Sequence, residues 1–253
     1  MRRVSAGRTD TGRVRKKNED AFLADDGLGL YIVADGMGGH AAGEVASNEA
    51  IDTIRGMICH GRAIVARYAL EPDSNTAAAV RRLIESAVQA ATYMVHGLAA
   101  QSPDRTGMGT TTSLLLVAGA DGWIGQVGDS RVYLVRKGLA TQVTQDHTWI
   151  ASQVRQGLMT EEEAANSPHR SAITRAVGNR DYVEVDTFAV AIEDGDRFVL
   201  CSDGLHGYVD SAELPAMVLP APSVAARDLV RLANDRGGED NITAVVVALG
   251  DRA

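Results

Sequence analysis

Short apolar runs separated by polar, glycine-bearing breaks cover much of the chain. Residues 21–24, 28–34, 111–118, 123–127, 132–136, 197–201 and 242–249 are rich in Val, Ile and Leu and bounded by Gly or Asp. That pattern predicts buried strands. Ala120-Asp121-Gly122 and Arg136-Lys137-Gly138 read as hairpin turns between sequential strands, which favours antiparallel pairing. Residues 43–58 and 76–99 are Ala-rich, with apolar positions three and four apart, and predict helices. A third helix is predicted over 222–235, with Ser223 near its start and Gly237-Gly238 closing it.

The order is strands, two helices, a run of strands, then a helix and a last strand. It lacks the regular strand–helix alternation of a parallel sheet and predicts an α+β fold, with packed sheets and outer helices. Residues of about 144–185 break the strand pattern with polar sequence, the cluster Glu161-Glu162-Glu163 and a short helix expected at 148–156. This segment reads as an excursion from the main body, the kind of flap that often serves function. No repeat or Pro/Ser-rich linker interrupts the pattern, so one domain is expected over residues 1–253.

Composition narrows the classes. Hydrophobic residues make up 45% of the chain and charged residues 23%, as in ordinary globular proteins. The net charge of −8 argues against nucleic-acid binding, which needs a basic face. Two cysteines, Cys59 and Cys201, without CxxC spacing argue against a disulfide framework and fit a reducing, cytoplasmic setting. The first ten residues carry arginines but no apolar run, so no signal peptide is expected, and no stretch approaches the length of a membrane span.

Aspartates recur beside glycine where apolar runs end. Asp35 follows 30–34, Asp129 follows 124–127 and Asp203 follows 199–201, while Asp20 and Asp240 stand in Asn18-Glu19-Asp20 and Glu239-Asp240-Asn241. A carboxylate at the end of a buried strand is costly unless a cation or hydrogen bonds compensate it. Taken singly, each Asp-Gly is an ordinary turn. Five aspartates at run ends and turns leave two readings open: a set of turns, or one cluster of oxygen ligands for a hard divalent cation.

The strings Arg15-Lys-Lys-Asn-Glu19-Asp20, Val33-Ala-Asp35-Gly-Met-Gly-Gly-His40, Gly107-Met-Gly-Thr-Thr111, Val127-Gly-Asp129-Ser-Arg131, Cys201-Ser-Asp203-Gly-Leu205 and Gly237-Gly-Glu-Asp240-Asn241 occur in this order. Together they resemble the motifs of the protein phosphatase 2C family, the metal-dependent PPM Ser/Thr phosphatases, in its bacterial branch. Each string is weakly specific, but six in order are very specific, and they span nearly the whole chain.

The resemblance implies a central β-sandwich of two mostly antiparallel sheets flanked by helices, with metals at one end. It implies two Mg2+ or Mn2+ ions and a third, weaker site. By motif, Asp35 bridges two metals and the Gly36 carbonyl binds the second; Asp203 and Asp240 complete the ligands of the first metal. Glu19 and Asp20 join the cluster, with Asp20 orienting metal-bound water. Asp129 resembles a ligand of the third metal, shared with Asp203. Arg15 resembles the arginine that grips the substrate phosphate, a role suited to a planar guanidinium. In some members a histidine directly follows the Asp-Gly; here Met37 holds that place and His40, three residues later, is the candidate general acid. The expected chemistry is direct hydrolysis of phosphoserine and phosphothreonine by a metal-activated water, without a covalent enzyme intermediate. Expected partners are phosphoproteins, including a cognate Ser/Thr kinase, and the chain is expected to be a monomer. His147, in Asp146-His147-Thr148-Trp149, is expected to line the site.

Rival chemistries lack their residues. A cysteine phosphatase needs Arg six places after its Cys, where this chain has Gly207 and Val65. No GxxxxGK[ST], GxSxG or HExxH occurs. A catalytically impaired, phosphatase-like regulator that only binds phosphoproteins is the alternative, and loss of metal carboxylates would mark it; Asp35, Asp203 and Asp240 are all present.

Overall fold

The computed structural model describes residues 1–38, 42–165, 167–169 and 171–250. The first strands are β1 (Arg3–Asp10), β2 (Asp20–Asp25) and β3 (Leu30–Met37). Helices α1 (Ala42–His60), α2 (Arg62–Leu70) and α3 (Ser74–Ala100) follow. Strands β4 (Gly109–Thr110), β5 (Thr112–Ala118), β6 (Asp121–Val127), β7 (Arg131–Arg136) and β8 (Leu139–Gln142) form the middle of the chain. Next come α4 (Trp149–Arg155), α5 (Glu161–Ala165), β9 (Asp186–Ala191) and β10 (Arg197–Cys201). The chain then runs through α6 (Asp203–His206), α7 (Leu214–Met217), α8 (Pro222–Asp235) and β11 (Ile242–Leu249).

Two antiparallel sheets result, one in the order β1-β11-β10-β7-β8 and the other β2-β3-β5-β6-β9, with β4 against the end of β3. Their strands are apolar on both sides because each sheet has two coverings. Along β3, Leu30, Ile32 and Ala34 pack with α1 and α3, while Tyr31 and Val33 point between the sheets. Phe198, Leu200, Val245 and Val247 meet them from the other sheet, and α8 covers that sheet's far face through Leu229 and Val230. The layers are therefore helix, sheet, sheet, helix, the α+β sandwich that the motifs imply. Apolar runs covered on two faces stay continuous instead of alternating, and this is why the central strands could be read from the sequence.

Both expected hairpins form. Lys137 and Gly138 each have positive φ, 52° and 80°, the geometry of a tight turn whose twist matches its strands. Four strands were not foreseen. The β4 strand is only two residues long, and β1, β8 and β9 are only partly covered, so no continuous buried run marks them. Helix α2 also went unforeseen, burying only Tyr68.

The 144–185 segment leaves and rejoins the body through a narrow neck. The Trp149 N–H donates to the Ala172 carbonyl at 2.8 Å and the Thr174 N–H to the His147 carbonyl at 2.7 Å. Between these points α4 runs close to its expected place, its first turn capped by the Thr148 hydroxyl, which accepts from the Ala151 N–H at 3.2 Å. Among the described residues, no helix is long and apolar enough to cross a membrane.

Phe198 is fully buried between the sheets. Phe198→Ala is expected to lower unfolding free energy by about 3–5 kcal/mol in a urea titration, through lost burial and an unfilled cavity. A loss below about 1 kcal/mol would contradict the packed sandwich interior.

Candidate active site

Strand register brings the predicted carboxylates to one end of the sandwich. Asp20 opens β2 and lies directly opposite Asp35 near the end of β3. Thr112 at the start of β5 pairs with Val127 at the end of β6, just before Asp129. In the other sheet Cys201 pairs with both Arg131 and Ala244, so the end of β10 meets the starts of β7 and β11. Asp203 and Asp240 stand at those ends, and Asp129 lies in the turn that crosses from β6 in one sheet to β7 in the other. The rival reading of five separate turns therefore fails, because the aspartates converge.

Neutral side chains hold them. The Ser202 and Thr243 hydroxyls donate to Asp20 Oδ2 at 2.7 and 2.6 Å. Ser202 in turn accepts from the Thr243 N–H at 3.0 Å. The Asp35 N–H donates to Thr111 Oγ1 at 2.9 Å, and the Thr110 hydroxyl donates to the Asp35 carbonyl at 2.9 Å. At Asp129, the carbonyl accepts from His206 Nε2 at 3.0 Å. Sequence reasoning assigned no role to these holders. Their one signal was polarity inside or at the edge of apolar runs, as at Thr243 and Thr111.

Two glycines allow close backbone approach. A Cβ at Gly36 would lie 2.2 Å from the Gly43 carbonyl oxygen and 2.5 Å from that of Glu19. The Gly36 N–H uses this proximity to donate to the Glu19 carbonyl at 3.2 Å, which also accepts from the Ser47 hydroxyl at 2.7 Å. The Glu19 carboxyl itself lies against Gly43 of α1. Asn241 then ties the loop that carries Arg15 to the loop that carries Asp240. Its Oδ1 accepts from the Glu19 N–H at 2.8 Å, while its Nδ2 donates to the Thr11 and Lys17 carbonyls at 3.0 and 2.9 Å. Arg15 reaches across and donates to Asp240 Oδ2 at 2.6 Å. This pair is exposed, so it contributes little stability and the guanidinium can exchange partners readily.

The gathered carboxyls disfavour one another's charge. Asp20, fully enclosed, is raised to about 7, by burial first and partly offset by its two hydroxyl donors. Asp129 is likewise raised to about 7 by burial and then by the charge of Asp203. Asp35 is held well above its ordinary value by lost hydration, then by Asp20 and Asp203. Asp203 is raised by burial and then by Asp240, while contact with Asp35 acts the other way. His206 is lowered to about 4 by burial, consistent with a neutral ring donating to the Asp129 carbonyl.

The donor set suits hard divalent cations. Every member is an oxygen: five aspartates and a strand-end carbonyl, with no soft ligand required. Two carboxylate oxygens, Asp20 Oδ1 and Asp203 Oδ1, are buried without a hydrogen-bond partner, an expense that a cation or its water would offset. Among the described residues no group of three or more His, Cys, Asp or Glu side chains is placed to hold a metal ion by itself.

A groove of about 1110 Å3 opens from this cluster. Asp129, Asp203 and Asp240 stand in one part, and Ile150, Val154 and Ala164 of the 144–185 segment in another. His147 does not line it; it is buried beneath the Asp129 turn at 5% exposure. His40, the candidate general acid, lies outside the described residues.

The family model "Protein phosphatase 2C" matches residues 11–240. The serine/threonine protein phosphatase PstP of Mycobacterium tuberculosis is 38% identical over 247 residues, covering 97% of this chain and 45% of PstP. The chain thus spans about half the length of that relative. The serine/threonine phosphatase stp of Listeria innocua is 35% identical over 245 residues, covering 95% of this chain and 93% of stp. A crystal structure of the PstP catalytic domain in complex with two manganese ions superposes with TM-score 0.84 at 35% identity, covering 98% of this chain and 99% of that one. With the sandwich, the converging aspartates and these matches in hand, the chain belongs to the protein phosphatase 2C family.

Proposed function

We propose that this chain is a metal-dependent serine/threonine protein phosphatase. The observation that carries this reading is the convergence of Asp20, Asp35, Asp129, Asp203 and Asp240, with two buried carboxylate oxygens left unpartnered. Asp35, the Gly36 carbonyl, Asp203 and Asp240 would hold two Mg2+ or Mn2+ ions, with Glu19 and Asp20 beside them; Asp129 and Asp203 would hold a third, weaker one. Two manganese ions in the PstP catalytic-domain structure support that number. Bound there, the cations would supply an acidified water as nucleophile and positive charge for the phosphoryl oxygens.

The chain's own residues set the geometry. Ser202 and Thr243 fix Asp20 through Oδ2, which leaves Oδ1 to orient the attacking water and take its proton. Arg15 trades Asp240 for the phosphate and clamps two of its oxygens. Direct attack by water needs no protein nucleophile, consistent with Cys201 being buried and its thiol pushed up to about 12. The substrate class is phosphoserine and phosphothreonine protein, a cognate kinase included, with flanking residues in the groove beneath the 144–185 flap. The working unit is a monomeric single domain over residues 1–253. The proposed location is cytoplasmic, the setting that two cysteines without CxxC spacing favour.

Two tests follow. The purified chain should hydrolyse phosphothreonine and phosphoserine peptides with Mn2+ or Mg2+ and stop when chelated. Asp35→Asn should remain folded by circular dichroism but lose turnover by about 10³-fold, as several kcal/mol of charge stabilisation disappear. Near-normal turnover by that variant would overturn the site.

A third test uses pH. In the metal-free chain the raised Asp20 and Asp129 bind protons more tightly folded than unfolded, so their contribution to stability falls as pH rises from about 4 to about 7. Melting of the metal-stripped protein should therefore come several degrees lower at pH 8 than at pH 6, at about 2–4 °C per kcal/mol for this size. Added Mn2+ should restore it at pH 8. Equal melting at both pH values, unchanged by Mn2+, would contradict the clustering of charge.

A further inference from the structure

Asp129 sits in a turn whose backbone is pinned by only a few side chains. The Gly128 carbonyl accepts from the His147 N–H at 2.9 Å and from Gln126 Nε2 at 3.0 Å, and the Ser130 carbonyl accepts from the same Gln126 nitrogen at 2.7 Å. The Gly128 N–H donates to Nδ1 of the His147 ring at 3.1 Å. His147 and Gly128 thus make a reciprocal pair. Because Gly128 supplies the hydrogen, Nδ1 must present a lone pair, and the neutral ring carries its proton on Nε2.

That second nitrogen faces away from the turn. It stands 3.2 Å from Asp186 Oδ2, the acceptor for its proton, at the start of β9; Arg175 Nη1 is also 3.2 Å from Nε2, but as a donor it makes no hydrogen bond to a protonated nitrogen and binds Asp186 instead. Arg175 grips the other oxygen of Asp186 at 2.7 Å and Glu184 at 2.6 Å. Arg175 and Glu184 both belong to the returning leg of the 144–185 segment. The His147 carbonyl meanwhile accepts from the Thr174 N–H and hydroxyl at 2.7 and 3.0 Å, closing the neck. One buried residue therefore touches the Asp129 turn with one ring nitrogen and the root of the flap with the other. A histidine present only to fill space would need neither bond.

We propose that His147 is a positioning residue that couples the posture of the 144–185 flap to the Asp129 carboxylate, through the Nδ1 lone pair on the Gly128 N–H and the Nε2–H on Asp186. A flap that moves on binding a phosphoprotein pulls Thr174 and Arg175, and the ring carries that displacement to the turn. The inference rests on the reading of Asp129 as a residue that supports hydrolysis. The direction runs both ways, since a coupling between two sites is reciprocal.

Three variants test it: His147→Leu, His147→Asn and Asp186→Ala. Asparagine places Oδ1 the same number of bonds from Cα as His147 Nδ1, so it keeps the acceptor for Gly128 and loses only the outer contact. Amide exchange over residues 126–131, measured without substrate, should quicken by about tenfold in His147→Leu, which leaves a buried N–H without its acceptor. In His147→Asn, which keeps the Gly128 acceptor and loses only the outer contact, exchange should quicken by less, about threefold. Asp186→Ala removes that same outer contact, so exchange at 126–131 should quicken there by a similar, about threefold, factor. With a phosphothreonine peptide, His147→Leu should lower kcat by about tenfold while KM stays within about twofold, and His147→Asn should recover most of kcat. The proposal is overturned if His147→Asn is as impaired as His147→Leu, or if Asp186→Ala leaves exchange at 126–131 unchanged; the second comparison holds even if His147→Leu fails to fold. A parent chain inactive on phosphopeptides would overturn the phosphatase reading instead, and the coupling would then be decided by exchange alone.

Discussion

Mutual repulsion among aspartates at one end of a sandwich is the constraint on which the rest of this structure depends. Asp20 and Asp35 oppose one another across neighbouring strands, an arrangement that like charges disfavour. Asp203 and Asp240 arrive from the second sheet, and Asp129 from the turn between the sheets. Burial and neighbouring charge both raise these acids, so the folded chain carries an electrostatic cost that a globular protein has no structural reason to accept. Divalent cations reverse the sign of the local field and turn the cost into affinity.

The remainder of the architecture makes that concentration of charge tolerable. Two sheets buried on both faces form a rigid floor, and strand ends offer fixed points at which to set carboxylates. Hydroxyls and amides then hold each acid without adding charge: Ser202 and Thr243 at Asp20, Thr111 and Thr110 at Asp35, and Asn241 between the Arg15 and Asp240 loops. Neutral holders fix orientation and leave the negative charge available to a cation. Among the described residues, positive charge reaches the cluster from Arg15, paired with Asp240 at an exposed position, and from Arg131, which acts on Asp129.

Much of this was legible in the sequence for a physical reason. Strands covered on two faces write continuous apolar runs, so β5, β10 and β11 could be read almost to the residue, and an aspartate that ends such a run stands out. Edge strands carry no such signature: β1 and β9 are only partly covered, so no continuous buried run marks them. The holders were hidden for another reason. Thr243 and Ser202 reach Asp20 from 223 and 182 positions away, so no local pattern links them. His147 was expected at the wall of the site because of its neighbours in sequence, but it faces the back of the Asp129 turn. Its main-chain bonds to Gly128 and Thr174 put it at the junction of turn and flap, a place that spacing cannot reveal.

The central claim is that these acids exist to hold a pair of cations. The most direct measurement is anomalous diffraction at the manganese edge from crystals of this chain grown with Mn2+. Two strong peaks should appear at the strand ends, both within coordinating distance of Asp35, one shared with Asp203 and Asp240 and the other with the Gly36 carbonyl. A map with no peak near Asp35, at saturating manganese and with the fold intact, would contradict the account.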